Sequence, residues 1–243
     1  MLNSRNKSKY LLSIITVEKD DIEGRVATRS SLGRIPMEVQ WIEKSHSLTE
    51  KTCKISENTI RITSSDTGIY NAMNEALSYR DSEWVLFLNS GDCLIIDLDK
   101  LTNILLSYES INTTLIFNWL VNGKVFEPDF YKLRYGSAFS HQAAIISSDQ
   151  FDHKNYNEKY ELAADYEFFL QKWCTSTKFI SIPVVLSKIL PGGLSDTRRN
   201  RVYQEFYEIQ NIAGFNKFCN FLICHKNKIL NYLKIPIKRI FQK

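Results

Sequence analysis

The chain has 243 residues, of which 44% are hydrophobic, so it can bury a substantial core and is not a disordered chain. Residues 209–243 contain seven of the 31 Lys and Arg residues and no acidic residue. The rest of the chain has 24 basic and 27 acidic residues, so the net charge of +4 arises from residues 209–243. Five cysteines without paired spacing exclude a disulfide framework and favour reduced thiols, and no apolar run is long enough to span a bilayer.

Strands and helices are predicted to alternate through the first 92 residues. Short apolar or alternating runs predict strands at 11–17, 38–42, 59–63 and 84–88. The first run has no cleavage site and is expected to be a strand rather than a signal peptide. Helices are predicted at 24–32 and from the turn at 65–68 to about residue 80. This order predicts an α/β fold with a parallel sheet and right-handed crossovers.

The pattern is less regular after Asp92. Strands are predicted at 114–121, 124–130, 143–146, 178–182 and 184–189, the last two separated by Pro183. Helices are predicted at 98–108, 162–173 and 196–212. We therefore expect one domain over residues 1–212. Residues 213–243 are expected to form a basic amphipathic helical tail whose pattern breaks at Pro236.

The turn Asn89-Ser90-Gly91-Asp92 directly follows the apolar run 84–88. In open α/β sheets, ligands bind in the crevice at the carboxyl ends of the strands. The turn is therefore a candidate binding site, although a turn of this composition can also do no more than end a strand.

Two neighbouring segments resemble family 2 glycosyltransferases of the GT-A fold. They read DTGIYNAMN at 66–74 and FLNSGD at 87–92, and further matching segments lie at 13–17, 141–142, 162–168 and 192–195. The chain is most similar to the bacterial branch that builds colanic-acid-like capsules, exopolysaccharides and O-antigens. The resemblance covers roughly residues 11–212. It implies a Rossmann-like, mostly parallel central sheet flanked by helices.

The resemblance implies a nucleotide-sugar donor site that uses a divalent cation. The acidic DXD motif of the family corresponds to 89–92 here, so Asp92 is the implied ligand of Mn²⁺ or Mg²⁺, which neutralises the leaving diphosphate. The other implied donor-binding residues are Thr16, Asp66, Asn89, Arg198 and Arg199. Asp66 can alternatively be a helix N-cap, and either arginine can simply face solvent.

The resemblance also assigns the catalytic base and a further part of the pocket. Asp165 is the implied base, because transfer with inversion needs a carboxylate to accept the acceptor hydroxyl proton. Glu161, which would share a helix face with Asp165 at i+4, and Glu167 are rivals, and Asp165 can also be a surface residue paired with a lysine. His141 and Gln142 are implied to line the acceptor or donor side of the pocket, although an isolated histidine is more often structural.

One expected element is absent. Related sequences carry Asp-Gly-Gly-Ser after the second strand, and its Asp contacts the nucleotide base. Here 41–47 reads WIEKSHS. Either Ser45 or His46 replaces that contact, or the donor site is weakened. Asp20 or Asp21 also remain candidates for the nucleotide pocket.

The resemblance implies an inverting glycosyltransferase that moves a sugar from a UDP- or GDP-linked donor to a polyprenyl-linked surface-polysaccharide acceptor. A basic, amphipathic tail without acids is typical of helices on anionic membranes, so we expect a cytoplasmic protein held peripherally at the inner face of the cytoplasmic membrane. Alternatively, the tail packs on the domain. Nucleic-acid binding is not expected, because the excess basic residues are confined to the tail. The alternative functions are a non-catalytic GT-A-like binding or scaffold subunit and, less well supported, a glycoside hydrolase.

Overall fold

The computed structural model describes residues 8–152 and 155–240, with the side chains of 233–240 excepted. The described chain forms two compact units. The first comprises the described residues of 1–128, 139–156 and 177–190, and the second those of 129–138, 157–176 and 191–243. The boundary predicted at residue 212 falls inside the second unit, and the existence of a separate tail domain stays a prediction.

The first unit contains ten strands and three α-helices. The strands are β1 Tyr10–Glu18, β2 Val39–His46, β3 Lys51–Ser56, β4 Thr59–Ser64, β5 Ser82–Phe87, β6 Cys93–Leu94, β7 Thr113–Val121, β8 Lys124–Phe126, β9 Ala144–Ser147 and β10 Lys178–Lys188. The helices are α1 Ile22–Ser31, α2 Ile69–Leu77 and α3 Leu98–Leu106. Short 3₁₀ turns at His141–Ala143 and Ser148–Phe151 flank β9.

All ten strands form one mixed sheet in the order β3-β4-β2-β1-β5-β9-β7-β10-β6, with β8 paired to β7. The pairings β4-β2, β2-β1, β1-β5 and β7-β10 are parallel, whereas β9 is antiparallel to both β5 and β7. Six strands therefore run in one direction, which confirms the predicted mostly parallel sheet. Because β2, β4 and β5 share this direction, His46, Ser64 and Phe87 end their strands at the same edge.

The core of this unit covers both faces of the sheet. Alternate residues of β1, such as Leu12 and Ile14, pack in one cluster with Leu101 and Leu105 of α3. Helix α2 lies outside that cluster and contacts β1 and β2 through its own buried residues, Tyr70, Ala72, Met73, Ala76 and Leu77. Alternate side chains of a strand point to opposite faces of the sheet, and α2 packs outside the cluster that contains α3. Helices therefore flank the sheet on both faces, as predicted.

Two local features differ from the prediction. Strand β3 was not predicted, because it is polar and exposed, and it pairs with β4 in an antiparallel edge pairing. The predicted split at Pro183 is wrong: β10 is one strand, and its register against β7 shifts between Ile182 and Val185. Pro183 lies in this irregularity, where a missing backbone N–H removes no regular sheet hydrogen bond.

The second unit is helical. It contains α4 Ala164–Cys174, α5 Leu194–Thr197, α6 Arg199–Ile212 and α7 Lys217–Ile240, with a 3₁₀ segment at Phe130–Arg134. Helix α4 begins at Ala164, two residues later than predicted, so Glu161 lies outside it and does not share a helix face with Asp165. The predicted helix 196–212 is divided at Arg198 into α5 and α6.

Helix α7 packs along α6 through polar contacts. Lys228 Nζ donates to Gln204 Oε1 at 2.9 Å, and Asn231 Nδ2 donates to Asn200 Oδ1 at 3.1 Å. The break predicted at Pro236 is wrong because α7 continues to Ile240; a proline removes one N–H donor without necessarily ending a helix. The predicted tail residues Leu233, Lys234, Lys238, Arg239 and Lys243 lie outside the described side chains. No helix in the described ranges has the length and apolar content needed to cross a bilayer.

Candidate functional site

The turn from Asn89 to Asp92 lies where β5 ends, at the predicted edge of the sheet. Gly91 has φ +88°, and a Cβ placed on it would lie 3.1 Å from Leu190 Cδ2. The left-handed backbone favours glycine, and a Cβ here would also press against the Leu190 side chain. Ser90 Oγ donates to Asp21 Oδ2 at 2.9 Å, so Asp21, one of the candidates from the loop after β1, is held against the turn.

Thr28 of α1 holds the Asn89–Asp92 turn in place through its hydroxyl group, a role that was not predicted from the sequence. Its hydroxyl donates to the backbone carbonyl of Asp92 at 2.7 Å and accepts from the Gly91 N–H at 3.0 Å. Thr28 is fully buried. The only sequence signal for it is a β-branched hydroxyl residue inside a predicted helix, which is too common to single it out.

Asp92 is a buried carboxylate with little compensation. It is 4% exposed, and its Oδ1 accepts a hydrogen bond from the Leu190 N–H at 2.8 Å. Burial raises the pKa of Asp92 to about 7, although the hydrogen bonds from Leu190 and from the Gln142 side chain act in the opposite direction. Ionisation of Asp92 therefore lowers the stability of the folded protein unless a cation lies next to the carboxylate.

Gln142 is oriented toward Asp92 by two serines. Ser140 Oγ donates to the side-chain Oε1 of Gln142 at 2.6 Å, and Ser187 Oγ donates to the backbone carbonyl oxygen of Gln142 at 2.7 Å. Since an amide oxygen only accepts hydrogen bonds, the amide Nε2 is the atom that donates to Asp92. The structure thus brings together Asp92, the implied cation ligand, and Gln142, which the resemblance had placed on the acceptor or donor side of the pocket.

The oxygen atoms of this turn suit a hard divalent cation. Asn89 Oδ1 is buried and has no hydrogen-bond partner among the described residues, which is a costly state for an amide oxygen. A cation would satisfy Asn89 Oδ1 and the Asp92 carboxylate together, and Mg²⁺-type sites commonly use one or two protein oxygens with phosphate and water completing the shell. Within residues 8–152 and 155–240 no cluster of three or more His, Cys, Asp or Glu side chains forms a complete metal site.

A second polar cluster lies at the ends of β2 and β4. Asp66 Oδ2 lies 2.9 Å from His46 Nδ1 and 3.6 Å from Lys44 Nζ. Lys44 is almost fully buried, donates to the Ser64 carbonyl at 3.0 Å and lies 3.4 Å from Glu75 Oε2. The predicted donor residue Asp66 is thus an anion compensated from two sides. Lys44 was missed, because a lysine in a strand is ordinarily read as exposed.

Thr16 and His141 are both enclosed. The Thr16 hydroxyl accepts from the Trp41 indole N–H at 3.1 Å, and Thr16 is fully buried. His141 Nε2 lies 2.7 Å from the Tyr156 hydroxyl, and the His141 ring lies 4.9 Å from the Phe87 ring. These contacts are those of packed structural residues, and ligand contacts by either residue stay predictions.

The remaining predicted site residues belong to the second unit. Asp165 lies in the first turn of α4, is partly exposed, and accepts a hydrogen bond from the Tyr166 N–H at 2.8 Å. Arg198 pairs with Glu161, and Arg199 Nη2 lies 2.6 Å from Asp196 Oδ1. Both arginines are about half exposed, so these pairs are weak.

The comparisons with known proteins find similarity in structure alone. No protein-family model matches the sequence, and no curated protein matches it. Staphylococcus aureus TarS 1–349 in complex with UDP has a TM-score of 0.61 at 12% identity, covering 89% of this chain and 70% of that chain. The corresponding complex with UDP-GlcNAc also has a TM-score of 0.61 at 12% identity, with coverages of 89% and 71%.

A second neighbour is the mannosyltransferase PcManGT from Pyrobaculum calidifontis in complex with GDP-Man and Mn²⁺. It has a TM-score of 0.61 at 12% identity, and the match covers 84% of this chain and 64% of that chain. Against a longer TarS structure, with a TM-score of 0.59 and 12% identity, the match covers 88% of this chain but only 42% of that chain. The sheet order, the flanking helices and these neighbours together show that the chain has a GT-A-type α/β fold.

Proposed function

We propose that the chain is a glycosyltransferase that takes a sugar from a UDP- or GDP-linked donor. The observation that carries this proposal is the turn at the end of β5, where Asp92 is buried beside neutral donors and Asn89 Oδ1 lacks a partner among the described residues. A diphosphate with its bound cation satisfies both groups. The structural neighbours in complex with UDP, UDP-GlcNAc and GDP-Man support a donor of this class.

Mn²⁺ or Mg²⁺ held by Asp92 and Asn89 would neutralise the negative charge that develops on the leaving diphosphate. Gln142 and the Leu190 N–H keep the Asp92 carboxylate oriented. Arg198 and Arg199 are proposed to bind the diphosphate as well. Each would exchange an exposed ion pair for a phosphate contact, which costs little because such pairs contribute about 0–1 kcal/mol.

Asp165 is proposed as the general base of an inverting transfer. It accepts the proton of the acceptor hydroxyl while that oxygen bonds to the anomeric carbon and the bond from this carbon to the diphosphate oxygen breaks. Its partly exposed place in the first turn of α4 supports the role, since an acceptor hydroxyl can reach a carboxylate there. Glu161 is a weaker candidate because it precedes α4 and pairs with Arg198.

The acceptor is proposed to be a polyprenyl-linked saccharide at the cytoplasmic face of the membrane, with His141 and Gln142 on its side of the pocket. Helix α7 supports membrane association. Phe218, Leu222 and Ile229 are 70%, 50% and 58% exposed at helical spacing, and basic residues flank them without acids. Such a surface suits an anionic bilayer, where each nearby lysine contributes about 1 kcal/mol.

A nucleotide screen tests the proposal. UDP, GDP, CDP and dTDP are each added with Mn²⁺, with Mg²⁺ or with EDTA, and thermal unfolding is recorded. A bound nucleotide at about 100 times its Kd stabilises the protein by about 2.7 kcal/mol. We expect Asp92→Asn to lose the cation-dependent part of this shift, whereas the exposed control Asp99→Asn keeps it. If no nucleotide shifts the wild-type transition under any condition, the proposed donor site does not exist.

Release of nucleoside diphosphate from the donor distinguishes a glycosyltransferase from a non-catalytic binding or scaffold subunit. A glycosyltransferase slowly transfers the donor sugar to water when no acceptor is present, so nucleoside diphosphate should accumulate from UDP- or GDP-sugars. Cation-dependent donor binding without any release of UDP or GDP, also with membrane extracts as an acceptor source, favours a binding or scaffold subunit.

A further inference from the structure

Strand β7 extends beyond the edge of the sheet at which the candidate site lies. Leu86 of β5 and Leu115 of β7 both pair with Ile145 of β9, so β5 and β7 are level with each other there. β5 ends one residue later at Phe87, whereas β7 continues to Val121 and turns back into β8. The β7–β8 hairpin therefore projects past the ends of the neighbouring strands, into the region where α/β sheets bind their ligands.

The hairpin lies close to the turn that carries Asp92. Cys93, the next residue, pairs with Lys188 of β10, and Lys188 pairs in turn with Leu120 of β7. Paired strands lie about 4.8 Å apart, so the backbones of Cys93 and Leu120 are at most about 10 Å apart. A molecule that is bound at Asp92 can therefore extend onto the hairpin.

Two aromatic side chains form a flat surface on the hairpin. Trp119 and Phe126 are opposite each other on β7 and β8, with ring centroids 5.9 Å apart and only 16° between the ring planes. Phe126 is 44% exposed, and Trp119 is partly exposed. Within residues 8–152 and 155–240 the Trp119 indole N–H donates no hydrogen bond. Aromatic rings with a small number of polar groups beside them are typical of sites for small ligands.

The hairpin does not depend on this aromatic pair for its shape. Asn122 and Gly123 connect the two strands, and their φ angles of 49° and 75° are both positive. A two-residue turn of this kind has the twist that paired strands require, and Asn-Gly is the dipeptide most typical of it. The turn therefore fixes the hairpin, which leaves the exposed rings free to bind a ligand.

The surroundings of the rings suit a sugar better than a bilayer or a protein partner. The exposed charged residues Lys124, Glu127 and Lys188 lie beside the pair and interrupt its apolar surface. Bilayers and protein partners usually cover larger continuous apolar areas. The C–H groups on one face of a pyranose ring carry partial positive charge, so they are attracted to the negative face of an aromatic ring. The hydroxyl groups around the sugar accept and donate hydrogen bonds, which the charged groups and the indole N–H can supply.

We propose that Trp119 and Phe126 bind a pyranose ring of the acceptor saccharide by stacking. The inference rests on the proposed function and adds a sugar-binding subsite to it. The donor sugar is held through its diphosphate at Asp92, and the attacking hydroxyl of the acceptor has to reach that sugar. A further ring of the acceptor then lies over the hairpin, where Trp119 and Phe126 bind it without contacting the reacting atoms.

Saturation-transfer NMR with defined sugars tests the proposal. Hexasaccharides of glucose, N-acetylglucosamine, galactose and mannose are each added to the protein together with UDP and Mn²⁺. We expect at least one of them to bind, with saturation transferred to its ring C–H protons. Its Kd should rise at least about tenfold in Trp119→Leu, which keeps an apolar side chain without a ring, and less than about threefold in Trp119→Phe. Trp173→Leu, at an exposed tryptophan of α4, is the control and should bind the sugar like wild type.

The acceptor role has a separate measurement. With a membrane extract as the source of acceptor, Trp119→Leu should raise the apparent KM for the extract at least about tenfold. The Kd of UDP in the presence of Mn²⁺ should stay within about threefold of the wild-type value, because the rings bind the acceptor and not the nucleotide.

The outcomes separate this inference from the function on which it rests. The inference is overturned if none of the four hexasaccharides binds, if Trp119→Leu binds them like wild type, or if the KM for the extract is unchanged. A matching loss of UDP affinity overturns it too, since that pattern indicates a nucleotide contact or a damaged fold. A dimer in sedimentation that Phe126→Ala dissociates indicates that a second copy covers the rings instead. If a hexasaccharide binds but neither UDP nor GDP does, the proposed donor site is refuted while the sugar-binding site stands.

Discussion

Replacing Asp92 with Asn should make the protein more stable at alkaline pH while it weakens cation binding. Burial raises the pKa of Asp92 from 3.8 to about 7, so between these values the folded protein holds a proton that the unfolded chain has lost. The wild-type protein therefore loses stability as pH rises through this window, and the loss is complete above the folded pKa. The asparagine side chain of the variant cannot ionise, and it has nearly the same volume as the aspartate that it replaces.

The magnitude follows from the width of the window. One pKa unit corresponds to about 1.4 kcal/mol, so a rise from about pH 5 to well above 7 should cost wild type about 3 kcal/mol more than Asp92→Asn. No discount for solvent screening is needed, because Asp92 is only 4% exposed. Saturating Mn²⁺ at alkaline pH should remove most of this penalty, since the cation compensates the charge.

Urea unfolding at about pH 5 and about pH 8, each with EDTA and with Mn²⁺, measures the effect. The exposed Asp99→Asn is the control, and its pH dependence should match that of wild type. Parallel pH profiles for wild type and Asp92→Asn would show that Asp92 is not the group that titrates. In that case the argument that its burial favours a bound cation fails as well.

Three further outcomes follow from the same structure. Asp165→Asn should abolish sugar transfer and leave nucleotide affinity nearly unchanged, whereas Glu161→Gln should retain transfer. If Asp165→Asn loses nucleotide binding and sugar transfer to the same extent, Asp165 is not the general base. Gly91→Ala should lower the free energy of unfolding by about 1–3 kcal/mol and weaken Mn²⁺ binding, because alanine is strained in the left-handed backbone of this turn. Urea unfolding and a Mn²⁺ titration measure the two effects. Leu222→Asp, on the exposed surface of α7, should reduce binding to vesicles rich in phosphatidylglycerol with unchanged helix content by circular dichroism; unaltered binding would argue against a membrane role for α7.

Most of the first unit was predictable because its strands are short apolar runs between clear turns. β1, β2, β4 and β5 each begin within two residues of the predicted start. Helices α1 and α2 connect β1 to β2 and β4 to β5, as the predicted crossovers require, whereas strand β3 lies between β2 and β4. β3 and the continuous β10 were not predictable. An exposed edge strand carries no hydrophobic pattern, and a β-bulge that accommodates Pro183 depends on the register with β7, which the local sequence does not encode.

The site was predictable in its location and less so in its chemistry. Asp92 and Asp66 could be named because each ends or follows a strand at the ligand-binding edge of an α/β sheet. Their partners come from distant segments: Gln142 and Leu190 reach Asp92 across 50 and 98 positions, and Lys44 reaches Asp66 from another strand. Such pairings exist only once the sheet order is formed, so the raised pKa of Asp92 cannot be read from the chain.

The two aspartates at this edge show why residue type alone does not identify a cation ligand. Asp66 and Asp92 both follow parallel strands at the same edge of the sheet, and both side chains are largely buried. Asp66 already has a buried ammonium and an imidazole beside its carboxylate, so a divalent cation there would be repelled by Lys44. Asp92 has only neutral donors, and an amide oxygen without a partner among the described residues lies in the same turn. We therefore expect a divalent cation to bind at Asp92 rather than at Asp66.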